Sequence, residues 1–316
     1  MSVVKPFLKW VGGKTQLLDA VLAAFPRHIR GSYREPFVGG GSVLLGVLSE
    51  RAAGRIRIDG RICASDVNAA LVALYVAVQT RVEDLLGALG GLKADWDTAA
   101  RAGAAEAPNR SPASREVALA GGAESYYYWL RAQYNAMSAA DKCSVNGSAH
   151  FLFLNKTCFR GVYREGPRGF NVPFGHYANP SVYDAEHLRS VSRLLAGVEF
   201  RVASFEAALP PPAAAAAAAG DFVYLDPPYV PETATSFVGY TADGFGAAAH
   251  ATLFRRIREL AASGTAAFVL SNADVPLVRA EFADDAAYEK TVLDARRAIH
   301  SRAPASRTRE LLIRSL

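Results

Sequence analysis

The chain has 316 residues, of which 51% are hydrophobic and 21% are charged, and its formal net charge is +5. This composition is that of a globular protein with a sizeable core, and it excludes a disordered chain. The mild basicity permits a polyanionic partner without requiring one, because many soluble enzymes are equally basic.

The three cysteines, Cys63, Cys143 and Cys158, are widely spaced and form no C-x-x-C pair. The sequence therefore predicts neither a disulfide framework nor a zinc site. The longest apolar stretch, residues 69–78, is too short to span a bilayer, and the N-terminus has no signal-peptide pattern. We expect a soluble protein of a reducing compartment.

The first segment of interest, residues 7–15, predicts a short strand, a glycine turn and a helix over residues 16–25. Gly13-Lys14-Thr15 is similar to the end of a phosphate loop, but Leu8 stands where that motif needs its first glycine. This disfavours a nucleoside triphosphatase. The turn could bring Trp10 and Lys14 beside a ligand, or Trp10 could belong to the core.

A second strand runs into Gly39-Gly40-Gly41 and an apolar helix. Glycines in such a turn let the backbone approach a ligand, as in dinucleotide folds. Leu44 stands where the last glycine of G-x-G-x-x-G would be, which favours an adenosine ligand without a pyrophosphate. Asp66 ends the next predicted strand, where it could bind ribose hydroxyls or cap the following helix.

The middle of the chain is less regular in composition. Residues 87–122 are rich in Ala, Gly, Ser and Pro and are predicted to contain a surface insertion or a flexible segment. Residues 126–137 then show a helical pattern, with their aromatic side chains in the core. A second low-complexity run, residues 210–220, has no assigned function.

Residues 155–177 alternate basic and aromatic side chains over glycine-rich turns, a pattern typical of a β-hairpin. Such a hairpin could enter a DNA groove, where arginine binds guanine edges and an aromatic tip wedges into the base stack. The alternative is a solvated hairpin with Phe170 and Phe174 in the core.

The most informative segment is the apolar run 222–225 followed by Asp226-Pro227-Pro228-Tyr229. The run predicts a strand buried on both faces, and the prolines end it in a stiff loop. Asp226 and the proline carbonyls accept hydrogen bonds, and Tyr229 offers a flat ring. Together they suit a planar base with an amino group, whose nitrogen two acceptors would make more reactive. An ordinary Pro-Pro turn at a strand end is the alternative.

The remaining predicted elements follow in order. They are a strand at 198–204, a polar loop at 233–245 that could close over a base, a helix at 246–262, a strand at 266–271, a short helix at 276–282, a strand at 288–294, a basic loop at 296–302 and a last strand at 311–314.

Residues 6–14, 35–42, 155–177 and 226–229, in this order, closely resemble the Dam-type (D12 class, alpha group) DNA adenine-N6 methyltransferases. The resemblance covers nearly the whole chain. It implies an α/β, Rossmann-like S-adenosylmethionine-dependent methyltransferase fold with a mostly parallel seven-stranded sheet, formed by residues 1–68 and 190–316. An inserted, mainly helical target-recognition domain, residues 69–189, would carry the β-hairpin.

The same resemblance implies that the chain transfers a methyl group from S-adenosylmethionine to N6 of a flipped adenine in double-stranded DNA. Flipping is required for access to a stacked base. Donor-binding residues would be Trp10, Lys14, Glu35, Phe37, Gly39, Asp66 and Asp226, with Asp66 at the ribose. Asp226 and Pro227 would bind the amino group and Tyr229 would stack on the base. DNA-binding residues would be Lys9, Lys156, Phe159, Arg160, Val162, Arg164 and His176, with Phe159 as the wedge.

Three positions depart from the GATC-specific members of this family. Those members have tyrosine and asparagine where Phe159 and Arg160 stand, and arginine where His176 stands, so the methylated sequence is left open. A cytosine-N4 methyltransferase of the same fold is less consistent, because such enzymes more often resemble Ser-Pro-Pro-Tyr. A DNA-binding relative without catalysis is the other alternative.

The expected partners are double-stranded DNA and S-adenosylmethionine, with a cognate restriction endonuclease left open. We expect a monomer with no membrane association. It would act in the cytoplasm or in the DNA-containing compartment of a virus-infected cell.

Overall fold

The computed structural model of the chain describes residues 3–103, 108–177, 179–210, 220–231, 245–296 and 307–316. The chain forms two compact units. The first comprises Met1–Lys5, Lys14–Val67 and Gly197–Leu316, and the second comprises Pro6–Gly13 and Asn68–Ala196. The short segment Pro6–Gly13 thus packs with the second unit, although its neighbours in sequence on both sides belong to the first.

Strands and helices are numbered in chain order. The strands are β1 His28–Ile29, β2 Tyr33–Glu35, β3 Arg57–Ile58, β4 Ile62–Asp66, β5 Glu165–Gly166, β6 Gly169–Phe170, β7 Val198–Val202, β8 Asp221–Leu225, β9 Ala266–Ala273, β10 Tyr288–Arg296 and β11 Arg307–Ser315. The α-helices are α1 Leu18–Ala23, α2 Ser42–Ala52, α3 Ala69–Thr80, α4 Val82–Ala102, α5 Arg115–Ala120, α6 Gly122–Ala136, α7 Ala139–Lys142, α8 Val145–Thr157, α9 Ala185–Leu194, α10 Phe205–Ala208, α11 Ala247–Ala262 and α12 Pro276–Glu281. Short 3₁₀ helices occur at Lys14–Gln16 and Phe159–Gly161.

In the described part of the first unit, seven strands form one sheet in the order β10-β11-β9-β8-β2-β4-β7. The five strands from β9 to β7 in this order run parallel, whereas β11 is antiparallel to both β9 and β10. The mostly parallel seven-stranded sheet that the resemblance implied is therefore confirmed. Open α/β sheets commonly carry such an antiparallel edge.

Strand β8 lies in the middle of the sheet, and all five of its residues are buried. This confirms the prediction from its apolar sequence. Helix α11 contributes Leu253, Phe254, Ile257 and Leu260, spaced along one helical face, to the core that also contains Val223 of β8. Packing from the helix thus fixes the strand whose end bears the acid-proline-proline-tyrosine loop.

The order of the parallel strands reverses between β2 and β8. From β2 the chain proceeds outward through β4 and β7, and then returns to place β8 on the other side of β2. Open α/β sheets bind ligands at the carboxyl ends of strands at such a topological switch point. Glu35 ends β2 and Asp226 follows β8, so both lie at this point.

The second unit is mainly helical over its described residues. The prediction that residues 87–122 contain an insertion or flexible segment does not hold for residues 87–102, which belong to α4, or for residues 115–120, which form α5. Alanine favours helix, and Leu85, Leu89, Trp96 and Ala99 are buried at helical spacing. Residues 104–107 lie outside the described chain.

The hairpin predicted within residues 155–177 is shorter than that interval. Its strands β5 and β6 have two residues each and pair antiparallel around Pro167 and Arg168, while residues up to 157 end helix α8. Phe170 and Phe174 are 3% and 8% exposed, so both belong to the core, as the alternative interpretation of this segment had them.

Residues 7–10, predicted to be a strand, have no regular secondary structure. Phe7 is nevertheless buried and packs edge-on against Tyr75 with ring centroids 5.4 Å apart, so its apolar character serves the second unit's core. Most elements predicted after residue 197 are confirmed within a few residues at their ends, whereas the last strand is longer than predicted and begins four residues earlier.

Three predicted segments, residues 210–220, 233–245 and 296–302, fall almost entirely outside the described residues. Over the described ranges, no helix is long and apolar enough to cross a membrane.

Candidate active site and nucleic-acid interface

Asp226 occupies the start of the loop after β8. Its Oδ2 lies 2.8 Å from Nζ of Lys14, whose side chain is only 3% exposed. Its Oδ1 is buried and has no hydrogen-bond partner within the described part of the chain. Because buried polar atoms are nearly always hydrogen-bonded, this oxygen is a candidate acceptor for a ligand.

Tyr229 is held by a second acid that sequence reasoning did not identify. Its hydroxyl donates to Oε2 of Glu310 at 2.7 Å, and Nζ of Lys14 lies 3.9 Å from the same oxygen. The Lys14 ammonium is also 4.9 Å from the centroid of the Tyr229 ring. Lys14, Asp226, Tyr229 and Glu310 therefore form one network, termed the acid-tyrosine network below.

Asn272 anchors the far end of the same loop. Its Oδ1 accepts from the backbone N–H of Val230 at 3.0 Å and from that of Ala273 at 2.8 Å. The side chain is fully buried at the end of β9. These bonds explain how the loop keeps its shape after leaving the sheet.

Burial raises the pKa of Asp226 to about 6. Lys14 opposes this effect by favouring the carboxylate, whereas the charge of Glu310 adds to it. Above pH 6 the group is mainly ionised and can only accept hydrogen bonds.

Glu35, at the end of β2, has a different protonation state. Burial raises its pKa to about 8, although the Tyr33 hydroxyl donates to its Oε2 at 2.6 Å and the Leu44 N–H favours the carboxylate. Asp226 raises it further through charge repulsion. At neutral pH Glu35 is therefore mainly protonated and can donate a hydrogen bond.

The glycine turn lies between β2 and α2. Gly39 and Gly41 have φ values of 45° and 70°, a region that glycine adopts without strain. The Gly39 N–H donates to Oδ2 of Asp66 at 3.2 Å. Asp66 does not cap the next helix, because the Asn68 side chain accepts the cap hydrogen bond from Leu71. Asp66 is thus joined to the glycine turn.

Phe37 lies beyond the end of β2 and packs against two other aromatic rings. Its ring stacks on Phe205 with centroids 5.9 Å apart, and it meets Phe245 edge-on at 5.8 Å. These three rings form an apolar surface suited to a flat heterocycle.

Lys9 lies in the second unit, tied to the region before the hairpin. Its backbone N–H donates to Oδ1 of Asn155 at 2.8 Å, and its carbonyl accepts from Nδ2 of Asn155 at 2.7 Å. Gly161 is required beside it, because a Cβ there would lie 2.3 Å from Cβ of Lys9. The Lys9 ammonium rests over the Tyr177 ring at 4.1 Å.

Phe159 and Arg160 form the turn that follows α8. Phe159 is a large apolar residue with 44% exposure, and its N–H donates to the Pro173 carbonyl at 2.8 Å. Arg160 has a φ of 55° and its guanidinium lies 5.2 Å from the Phe159 ring centroid. An exposed aromatic ring on a fixed turn has the form expected of a wedge.

The other predicted DNA contacts lie around this turn and the hairpin. Arg164 is exposed and donates from Nε to Oδ1 of Asn171 at 2.7 Å. His176 is exposed with Nδ1 3.9 Å from a carboxylate oxygen of Glu124, and Val162 is half-buried. Lys156 is also half-buried, and burial together with the charge of Lys9 lowers its pKa to about 8.

The structure brings most of the predicted donor and base residues together at the switch point of the first unit. Trp10 instead falls in the second unit, where it stacks on Tyr163 at 5.7 Å. Sequence reasoning missed Glu310, Asn272 and Phe205, which come from strands β11 and β9 and from the short helix α10. The sequence signal for Glu310 was an acid directly before the apolar run Leu311-Leu312-Ile313 of the last strand.

A model of the D12 class N6 adenine-specific DNA methyltransferases matches residues 10–299. The chain therefore belongs to this family. It is 34% identical over 278 residues to the type II methyltransferase M.MjaIII of Methanocaldococcus jannaschii, covering 85% of this chain and 84% of that protein.

Two further relatives have similar coverage. The DNA adenine methylase of Serratia marcescens is 31% identical over 301 residues, which is 95% of this chain and 93% of that protein. The type II methyltransferase M1.LlaDCHI of Lactococcus lactis subsp. cremoris is 29% identical over 287 residues, covering 89% and 85% respectively.

Proposed function

We propose that this chain is a site-specific DNA methyltransferase that transfers the methyl group of S-adenosylmethionine to N6 of an adenine extruded from double-stranded DNA. The observation that carries this proposal is the arrangement of Asp226, in which Lys14 occupies one carboxylate oxygen and the other is a buried acceptor. Its position at the topological switch point is where such sheets bind ligands.

The residues at the switch point fit the methyl donor. Asp66, joined to the glycine turn through Gly39, offers a carboxylate to ribose hydroxyls. Phe37 with Phe205 and Phe245 offers aromatic surface to an adenine ring. When bound, S-adenosylmethionine supplies a methyl group on a positively charged sulfur. Glu35 and Asp226, at the carboxyl ends of the neighbouring strands β2 and β8, would be polar contacts of the donor.

The adenine would be held by the loop after β8. An adenine amino group donates two hydrogen bonds, and the free oxygen of Asp226 and the Pro227 carbonyl would accept them. Tyr229, fixed through its hydroxyl, would present its ring to the base. Accepting both hydrogens concentrates electron density on the nitrogen as the new N–C bond forms, which stabilises the transition state.

The second unit would select the target. Phe159 would fill the space left by the extruded base, and Lys9, Lys156, Arg160, Val162, Arg164 and His176 would contact the duplex. Exposed arginines on a short hairpin suit hydrogen bonding to guanine edges in the major groove. We propose this unit as the inserted target-recognition domain, with the remainder of the chain as the catalytic domain.

The test uses the purified protein, donor labelled in its methyl group and duplex DNA whose nucleosides are then separated. We expect label in N6-methyl-2′-deoxyadenosine, whereas label in N4-methyl-2′-deoxycytidine would support the cytosine alternative. Asp226→Ala should abolish transfer and leave duplex binding largely intact, and the exposed Asp19→Asn serves as matched control. Activity of Asp226→Ala at the wild-type level would overturn the proposal. Sequencing of methylated positions in expressing cells identifies the target.

A further inference from the structure

We propose that Glu310 is a positioning residue for methyl transfer, holding the Tyr229 ring against the extruded adenine and setting the charge around Asp226. This inference rests on the proposed function and adds a residue to it. Glu310 comes from β11, a different part of the chain from the loop that it holds.

The geometry of Tyr229 supports this role. A tyrosine ring can rotate about two side-chain bonds, and a ring that must stack on a base is more effective when that rotation is already restricted. The 2.7 Å bond from its hydroxyl to Glu310 fixes the far end of the ring. Asn272, through the Val230 N–H, fixes the backbone just beyond the near end.

The position of Glu310 is itself determined by the sheet. Strand β11 pairs with β9 so that Glu310 lies opposite Ala273 and Leu311 lies opposite Asn272. The two residues that anchor the loop, Asn272 and Glu310, therefore lie on adjacent paired strands, near the carboxyl end of β9. A rigid sheet is a better support for such a constellation than a loop.

Glu310 also contributes to the charge environment of Asp226. The groups that act on this carboxyl are the Lys14 cation, the acids Glu35 and Glu310, and the phenols Tyr224 and Tyr229. Of these, Lys14 lowers the pKa of Asp226 and the charge of Glu310 raises it. Removing the Glu310 charge should therefore lower the pKa of Asp226, so that this carboxyl ionises at a lower pH.

The experiment is a mutant cycle on single-turnover methyl transfer, with saturating donor and duplex. At pH 8, where Asp226 is ionised, Tyr229→Phe and Glu310→Ala should each slow transfer about 10-fold, the value of one hydrogen bond. The double variant should be slowed about 10-fold rather than about 100-fold, because both changes remove the same bond. Fluorescence of 2-aminopurine reports base extrusion in parallel samples, with a second duplex that carries this analogue, which has no N6 acceptor, at the target position.

Glu310→Gln separates positioning from general structural damage. Its amide oxygen can still accept from Tyr229, so the rate at pH 8 should stay within about twofold of wild type. The acidic limb of its pH-rate profile should move to lower pH. Glu289→Gln, on the neighbouring strand β10, is paired with Arg314 and should leave the profile unchanged.

Additive losses in the cycle, or an unchanged acidic limb in Glu310→Gln, would overturn the role of Glu310. Either result can occur while Asp226→Ala is inactive, in which case the proposed function stands without Glu310. Activity of Asp226→Ala at the wild-type level would remove the proposed function itself.

Discussion

Lys14 and Asp226 form an ion pair, with 2.8 Å between Nζ and Oδ2, at the carboxyl end of the central strand β8. The pair uses only one oxygen of the carboxylate. A buried carboxylate without a cation nearby would keep its proton at neutral pH and lose acceptor capacity. The cation therefore maintains the charge of Asp226, while the second oxygen stays available to a ligand.

Replacing Lys14 by glutamine should shift the acidic limb of the pH-rate profile to higher pH. The Lys14 cation lowers the pKa of Asp226, which burial has raised to about 6, so its loss raises that pKa further. The variant should be slowed more strongly at pH 6 than at pH 9, as measured by single-turnover transfer. Lys5→Gln, an exposed lysine of the same unit, is the control. A uniform loss at all pH values would contradict this account.

Glu35→Gln should stabilise the fold increasingly as the pH rises. In the unfolded chain Glu35 ionises near pH 4.5, whereas in the folded protein it retains its proton until about pH 8. Wild-type stability contributed by this group is thus complete below pH 4.5 and is lost as the pH rises to 8. Glutamine removes that loss, so the difference in unfolding free energy should grow between pH 5 and pH 8.

Urea unfolding at several pH values in this range measures the effect. The ionisation of Asp226 also makes the unfolding free energy depend on pH, at lower pH. This contribution is similar in both proteins and cancels in the comparison. Glu50→Gln is the control, because its hydrogen bond with Arg55 lowers the pKa of Glu50. That group is mainly ionised in both states over pH 5–8, so its replacement should lower the unfolding free energy by an amount nearly independent of pH. A pH-independent difference between Glu35→Gln and wild type would show that Glu35 is ionised in the folded protein.

Local sequence signals were sufficient for the parts of the site that are contiguous in the chain. The apolar run before Asp226 predicted a buried central strand, and Gly39 to Gly41 predicted the turn beside it. The strand was predictable because its burial requires a continuous apolar run, and the turn because its conformation requires glycine. Both signals lie within a few consecutive residues.

Residues supplied by strand pairing could not be predicted in the same way. Glu310 is 81 positions from Tyr229, and their contact depends on the register of β11 against β9. Register follows from the packed sheet and not from the composition of either strand. The misassigned helix α4 has a related cause, since its glycines and alanines suggested a loop while the buried spacing of Leu85, Leu89 and Trp96 specified a helix.

Arg164→Ala should relax the choice of target sequence. Its guanidinium is exposed on the hairpin and is oriented by Asn171 at 2.7 Å, so a bidentate contact with guanine is worth about 1–3 kcal/mol of discrimination. Arg168→Ala, in the exposed turn of the same hairpin, should weaken binding to all duplexes about equally. Competition between target and single-substituted duplexes measures both. An unchanged preference in Arg164→Ala would exclude this arginine from base recognition.

Asn155→Ala should impair target recognition, because Asn155 holds both the segment around Lys9 and the turn that bears Phe159. Asn155 is 3% exposed, and its side-chain amide bonds the Lys9 N–H, the Lys9 carbonyl and the Gly161 carbonyl. Alanine leaves these three backbone groups without that partner, which costs about 1–3 kcal/mol for each buried group that water cannot reach. Lys9 and the turn bearing Phe159 should both lose their fixed positions.

We therefore expect a lower free energy of unfolding, weaker discrimination between duplexes and weaker 2-aminopurine fluorescence at the target base in Asn155→Ala. Donor binding should change less than discrimination, because most of the proposed donor residues belong to the first unit and only Trp10, next to Lys9, belongs to the second. Asn171→Ala, an exposed asparagine of the hairpin, is the matched control and should alter discrimination with little change in stability. Wild-type discrimination in Asn155→Ala, despite reduced stability, would show that Lys9 and Phe159 need no common anchor.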